Sequence, residues 1–183
     1  MTLAAAAPGV DIDDVNAMSG IIRKGVRAVI CVGKTGAVPD AAAADAKLKH
    51  VILVSAAGVS KGGGFGGVDG LFAAFGGEEA RRKDPKREDA FKSTAAAANI
   101  PLTIVRPGPI KASFGGKPIE FSQGDDRGEG GEVTLEDAAE VCVRCLGAPP
   151  PAGSVMEFEV RNGAGESGGK RDWRGLFGGL NTN

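Results

Sequence analysis

The sequence predicts an α/β layer fold built on a mostly parallel sheet. Three observations predict it. Short apolar runs alternate with segments of helical character, the order of strand–helix–strand units. Three of these runs, at residues 27–33, 50–55 and 102–106, are apolar nearly throughout, the profile of strands covered on both faces. Each closes on small or turn-forming residues: Gly33, then Ala56-Ala57-Gly58, then Pro107-Gly108-Pro109.

Taken in order, residues 11–25 read as a helix. Asp11, Asp13 and Asp14 stand at its start, where carboxylates favour the positive end of the dipole, and Val15, Met18, Ile21 and Ile22 recur at helical spacing. A polar, Ala-rich connection over 34–47 joins the first two strands. Residues 58–77 carry glycine at nearly every second position, with Phe65, Leu71, Phe72 and Phe75 between, and read as a long mobile loop. Residues 78–98 read as one helix interrupted near Pro85, which lacks the N–H that a helix interior needs. After the third strand, residues 110–131 form a Gly-rich excursion. Thr134 suits a helix N-cap, with Glu136 and Asp137 in the first turn, and that helix stops before Gly147 and Pro149 to Pro151. Residues 154–160 alternate apolar and polar and read as a half-exposed final edge strand. From Arg161 onward the chain is Gly-rich and polar, too poor in apolar groups to offset ordering entropy. The organisation expected is one domain over 1–160 and a disordered tail over 161–183.

The totals narrow the function classes. The chain has 183 residues, enough for one domain, and 22 basic against 23 acidic residues give no electrostatic case for nucleic acid or an anionic membrane. No apolar run approaches the roughly 18 residues of a transmembrane segment. Residues 1–8 show neither a basic n-region nor an Arg/Ser-rich amphipathic pattern, so no leader is visible; the expectation is either a cytoplasmic protein or one whose targeting segment is not in this sequence. The three cysteines, Cys31, Cys142 and Cys145, form an odd set without framework spacing, which suits a reducing compartment. There is no Tyr, one Trp and one His, and that absence limits acid–base chemistry.

Several local strings resemble one family. His50-Val-Ile-Leu-Val-Ser-Ala-Ala-Gly58 resembles the fifth strand of atypical short-chain dehydrogenase/reductase-like proteins, where a Ser follows the strand. Leu102-Thr-Ile-Val-Arg-Pro-Gly108 resembles their sixth strand and the turn facing the nicotinamide end. Gly131-Glu-Val-Thr-Leu-Glu-Asp-Ala-Ala-Glu140 resembles their following helix start, and Asp11 to Gly33 resembles the helix and strand around their fourth strand. The resemblance runs from Asp11 to Val160 and is strongest to the NAD(P)-binding Rossmann proteins of plastids. It implies a Rossmann-like three-layer fold, a plastid setting, and NADP or NAD held at strand C-terminal ends. By family match the cofactor-contacting candidates are Gly33, Ser55, Ala56, Pro107 and Gly108, with Lys86 reaching a ribose hydroxyl.

The departures from the family are as informative. The family opens with a strand running into G-x-x-G-x-x-G, whose backbone N–H groups hold the pyrophosphate. Nothing before Asp11 reads as that unit, so the first βαβαβ strands and the glycine motif are expected to be missing, as in a truncated domain. The run Gly62-Gly-Gly-Phe-Gly-Gly67 follows the matched fifth strand and does not replace it. Many members use Tyr-x-x-x-Lys. Lys86 matches the Lys, but Arg82 stands where the Tyr would, and guanidinium is no proton donor at neutral pH. Ser55 without a base is not a catalyst. The expectation is therefore an oxidoreductase-like domain with no assigned catalytic residue, weak or absent NAD(P) affinity and weak or no redox catalysis. The alternative is a structural or scaffold subunit. Loss of the first strands would expose the segment Val29 to Val32 as an apolar edge, which would pair with a protein partner or a second copy.

The remaining motifs have simpler readings. Ala28-Val-Ile-Cys-Val-Gly-Lys-Thr35 matches the P-loop spacing, yet its variable positions have a strand profile rather than that of a phosphate-cradling loop. Cys142-x-x-Cys145 lies on an apolar helical stripe with Val141 and Leu146, so no metal site is assigned. His50 reads as a capping or surface residue. The basic run Arg81 to Arg87 reads as a solvated helix face, and Trp173 to Phe177 as plain disorder or a short docking segment.

Overall fold

The computed structural model describes residues 14–22, 25–32, 40, 48–59, 84–124 and 131–183. Its centre is a five-stranded sheet. The strands are β1 (Ala28–Cys31), β2 (His50–Val54), β3 (Leu102–Pro107), β7 (Val155–Asn162) and β5 (Ile119–Ser122), in that order across the sheet. β1, β2, β3 and β7 are parallel neighbours, with Ala28 opposite His50, Val54 opposite Val105, and Arg106 opposite Glu159. β5 joins antiparallel to β7. A small parallel pair, β4 (Ile110–Lys111) and β6 (Val133–Thr134), sits beyond the end of β3. The three segments expected to be adjacent, co-directional strands are so.

Two apolar layers explain why the strands are apolar throughout. Val51, Leu53, Leu102 and Ile104 pack on one face against Ile22 of helix α1 (Val15–Ile22) and Phe91 and Ala95 of helix α2 (Pro85–Ala98). Ile52, Val54, Val105, Met156 and Phe158 pack on the other against Val141, Cys142 and Cys145 of helix α3 (Leu135–Cys145). Successive strand side chains point to opposite faces, so a sheet sandwiched by helices needs apolar residues at every position.

The helix boundaries follow capping chemistry. The Asp84 side chain accepts the Lys86 N–H at 3.0 Å, and Pro85 occupies the first helical turn, where its missing N–H costs nothing. The proline expected to interrupt a helix begins α2 instead, and residues 78–83 lie outside the described residues. Asn99 closes α2 in the left-handed region at φ 54°. Thr134 accepts the Asp137 N–H at 3.1 Å and caps α3, as its sequence predicts.

Two expectations differ from the structure. The segment read as a final edge strand, β7, lies between β3 and β5. Its alternation has another cause. Met156, Phe158 and Val160 face α3, while on the opposite face Glu157 is ion-paired to Arg106 rather than solvated. The segment read as a disordered tail is ordered. β7 runs on to Asn162, and helix α4 (Trp173–Gly178) follows, with Asp172 capping it through the Gly175 N–H at 2.9 Å. Trp173, Phe177 and Leu180 pack on the α3 side of the core. Asn183 and Val155 exchange backbone hydrogen bonds of 2.9 Å, and Asn181 and Gln123 are bonded in both directions. The glycine content concealed an i, i+4 aromatic pair and an arginine, Arg171, that ion-pairs with Asp137 and Glu140 of α3.

Candidate functional site

The C-terminal ends of β1, β2 and β3 form one rim. Backbone hydrogen bonds carry the ladder past the strands: Ser55 N–H to Val105 O at 2.8 Å, Ala57 N–H to Pro107 O at 2.9 Å, and Gly108 N–H to Val160 O at 3.0 Å. The Gly58 N–H reaches Glu159 Oε1 at 3.3 Å. Of the residues singled out from sequence, Ser55, Ala56, Pro107 and Gly108 come together on this rim. Gly33 lies outside the described residues. Lys86 is exposed in the first turn of α2, next to Arg87, whose Nη1 donates to Val54 O at 2.8 Å and ties that turn to the end of β2.

Gly108 has a packing reason to be glycine. A Cβ there would stand 1.9 Å from the backbone oxygen of Gly131, so only glycine lets the two chains pass.

Ser55 is fully buried, and its hydroxyl is hydrogen-bonded to Glu88 of α2. Glu88 is held by Arg106 through Nε to Oε1 at 3.0 Å and Nη2 to Oε2 at 2.7 Å. Arg106 also donates to Glu157 at 3.0 Å, and Glu157 takes Lys92 at 2.7 Å. Burial pushes the Glu88 carboxyl up, but the Arg106 and Ser55 hydrogen bonds outweigh it and hold the group below its ordinary value. An ionised carboxylate only accepts, so the Ser55 proton is directed at Glu88. Sequence reasoning missed this network. Its available signal was Arg106, a charge inside an otherwise apolar strand.

A second buried carboxylate anchors the loop after β4. Asp137 accepts the Gly116 N–H and the Asn162 amide, each at 2.7 Å, and pairs with Arg171. Burial raises its carboxyl, while the Gly116, Arg171, Asn162 and Thr134 hydrogen bonds together lower it below the usual range. Glu136 accepts the neighbouring Gly115 N–H at 2.8 Å.

Other candidates fall elsewhere. His50 sits at the opposite end of β2 and is buried rather than at the surface. Its Nε2 meets Thr103 Oγ1 at 2.8 Å, Nδ1 has no partner among the described residues, and burial lowers its pKa to about 4. Burial pushes the Cys31 thiol up to about 12 and that of Cys142 to about 11, and raises Cys145 as well. Among the described residues no group of three or more His, Cys, Asp or Glu is placed to hold a metal. Residues 28–31 of the P-loop-like string are strand β1, and Lys34 and Thr35 lie outside the described residues. A cavity of about 540 Å³ lies between β5 and the C-terminal segment, lined by Ile119, Phe121, Leu176 and Leu180 among others, and none of the sequence-predicted site residues lines it. No helix among the described residues is long and apolar enough to cross a membrane.

Ala57, Gly58 and Gly108 are partly exposed at the ends of β2 and β3 and carry no bulky side chain, while Ala56 and Pro107 are buried. A diphosphate needs several free backbone N–H groups, and those of Ser55, Ala57, Gly58 and Gly108 are already engaged.

This architecture is that of a Rossmann-like domain, with helices on both faces of a mostly parallel sheet. The chain belongs to the NAD(P)H-binding family, which matches residues 4–149 and so begins ahead of the Asp11 start expected from sequence. Among solved structures, the oxidoreductase ylbE from Lactococcus lactis is 18% identical with a TM-score of 0.57, over 92% of this chain and 74% of that one. ChuY, an anaerobillin reductase from Escherichia coli O157:H7, is 18% identical with a TM-score of 0.55, over 86% of this chain and 75% of that one. A wide-type short-chain dehydrogenase/reductase from Veillonella parvula, solved with NADP, is 15% identical with a TM-score of 0.50, over 82% of this chain and 69% of that one. No curated protein matches the sequence.

Proposed function

We propose that this chain binds NADP or NAD weakly along the C-terminal ends of β1, β2 and β3, and that it has little or no hydride-transfer activity of its own. The observation that carries the reading is the set of partly exposed, side-chain-poor residues Ala57, Gly58 and Gly108 at the ends of two adjacent, co-directional strands. The ring end of the cofactor lies there, with Lys86 reaching a ribose hydroxyl. A bound nicotinamide would supply hydride chemistry. The chain's own contribution is to orient the ring and exclude water. Weak catalysis is supported by chemistry on this rim: the Ser55 proton is spent on Glu88, and the chain contains no Tyr.

Isothermal titration of the full chain with NADPH and NADH tests this. The expected dissociation constant is about 1 mM, or roughly 4 kcal/mol of binding. Low-micromolar binding contradicts the weak-site reading, and no binding to well-folded protein contradicts the cofactor reading. A structural or scaffold role is favoured by one observation. Among the described residues β1 pairs only with β2, which leaves an apolar edge suited to a partner or a second copy. Analytical ultracentrifugation showing a monomer at high concentration would end that alternative.

A further inference from the structure

β5 is the outer strand of the sheet on the side away from β1, and its register shows which of its backbone groups are spent. One step beyond the Ile119–Asn162 pair, the Gly163 N–H bonds to Pro118 O at 2.9 Å. Opposed residues of an antiparallel ladder alternate between bonded and unbonded pairs, so Glu120 bonds with Arg161 and Ser122 with Glu159. The partners of Ile119 and Phe121 conform. Asn162 donates its N–H to Glu132 O and Val160 O accepts the Gly108 N–H, both turned away from β5. The N–H and C=O groups of Ile119 and Phe121 therefore point outward from the sheet, and no strand among the described residues takes them.

A groove runs beside this open edge. It is the cavity of about 540 Å³ between β5 and the C-terminal segment, walled by Ile119 and Phe121 on one side and Leu176 and Leu180 on the other. Gly175 and Gly179 also line it and bring no side chain to fill it. β7 stands between β5 and β3, so the groove is a separate place from the ends of β2 and β3. Outward-facing backbone groups beside an apolar groove suit an extended chain. Its backbone pairs with the edge while alternate side chains enter the groove. A small apolar molecule would fill the groove and leave the four edge groups to water.

Glu120 selects the partner. Its side chain is exposed, its Oε2 accepts Arg161 Nε at 2.8 Å, and its Oε1 has no bond among the described residues. A second copy pairing through β5 would use all four edge groups only with Ile119 opposite Phe121, which sets Glu120 against Glu120. Like charges directly opposed destabilise a strand pair, whereas a cation there is favoured. Antiparallel pairing lets each opposed pair exchange both of its bonds.

We infer that the β5 edge receives an extended segment of another protein, antiparallel to β5, with apolar residues opposite Phe121 and Ile119 flanking a Lys or Arg opposite Glu120.

The test titrates the full chain with a capped nine-residue peptide of serine and threonine centred on Val-Lys-Val, read by amide NMR and calorimetry. Shifts are expected at the Ile119 and Phe121 amides. N-methylation of both valines, which removes the N–H groups facing β5, is expected to weaken binding about tenfold or more. N-methylation of the lysine, whose N–H points away, should leave it within about twofold. Exchanging the lysine for glutamate is expected to weaken binding about threefold, and Glu120→Lys to reverse that preference. Absence of shifts at these two amides overturns the inference. Equal binding of the valine-methylated peptide does so as well, because the groove then fills without the edge. An unreversed preference in Glu120→Lys removes the charge rule. Shifts at Ile119 and Phe121 that grow with protein concentration alone give the edge to a second copy and overturn the inference.

Discussion

Arg106 of β3 and Glu88 of α2 form a two-pronged ion pair, at 3.0 and 2.7 Å, with both side chains almost fully buried. It ties the helix to the sheet directly beneath the rim and fixes the Ser55 hydroxyl. Removing Arg106 strands the buried Glu88 charge, while removing Glu88 leaves Arg106 the partly exposed Glu157. Glu88→Ala and Arg106→Met are each expected to cost about 3–5 kcal/mol in urea unfolding. The double variant should cost clearly less than the sum, because the stranded charge is gone. Additive costs would show that the two groups act independently.

His50 sets an acid limit on stability. Its pKa is about 4 folded against 6.5 for the free side chain, so the folded state favours neutral imidazole. That contribution is complete above about pH 6.5 and is lost as pH falls toward 4, by about 3 kcal/mol in all. Glu88 and Asp137, held below their ordinary values, lose their contributions in the more acid range beneath the free carboxyl value. Chemical unfolding from pH 7 to 4 should therefore show a decline that His50→Gln flattens. An unchanged slope in the variant would contradict the assignment.

Two glycines should respond oppositely to alanine. Gly108→Ala drives a Cβ to 1.9 Å from Gly131 O and is expected to cost about 2 kcal/mol or more. Gly178→Ala, with nothing within 4 Å, is expected to stabilise α4 by about 0.5 kcal/mol. Thermal melts of the two variants check both signs.

The C-terminal segment is part of the domain. Arg171→Met leaves buried Asp137 without its cation and is expected to cost about 3 kcal/mol. Trp173→Ala removes a ring that packs on Phe177 and lies under the Arg144 guanidinium at 5.2 Å, for a loss of about 2 kcal/mol. Hydrogen exchange should show the Asn183 and Leu176 amides protected. Exchange at the random-coil rate there would restore the disordered-tail reading.

The strands were legible because burial on both faces leaves a nearly continuous apolar run, as in residues 51–54 and in 102–105 apart from Thr103. Thr134 was legible because capping is local. What depends on distant partners was not. Nothing in the sequence near Glu88 points to Arg106, and nothing near Arg171 points to Asp137. Residues 155–160 alternate as an edge strand does, yet Glu157 pairs with Arg106 and Glu159 accepts the Gly58 N–H. Of the rim, the small residues could be read from the strand ends, whereas the burial of Ser55 is a property of packing alone.

Amide and methyl NMR of the full chain during an NADPH titration bears most directly on the proposed dinucleotide rim. The account predicts millimolar-range shifts concentrated at Val32, Ala56, Ala57 and Gly108, with His50 at the opposite end unmoved. Shifts centred away from these strand ends, or none at any concentration, would contradict it.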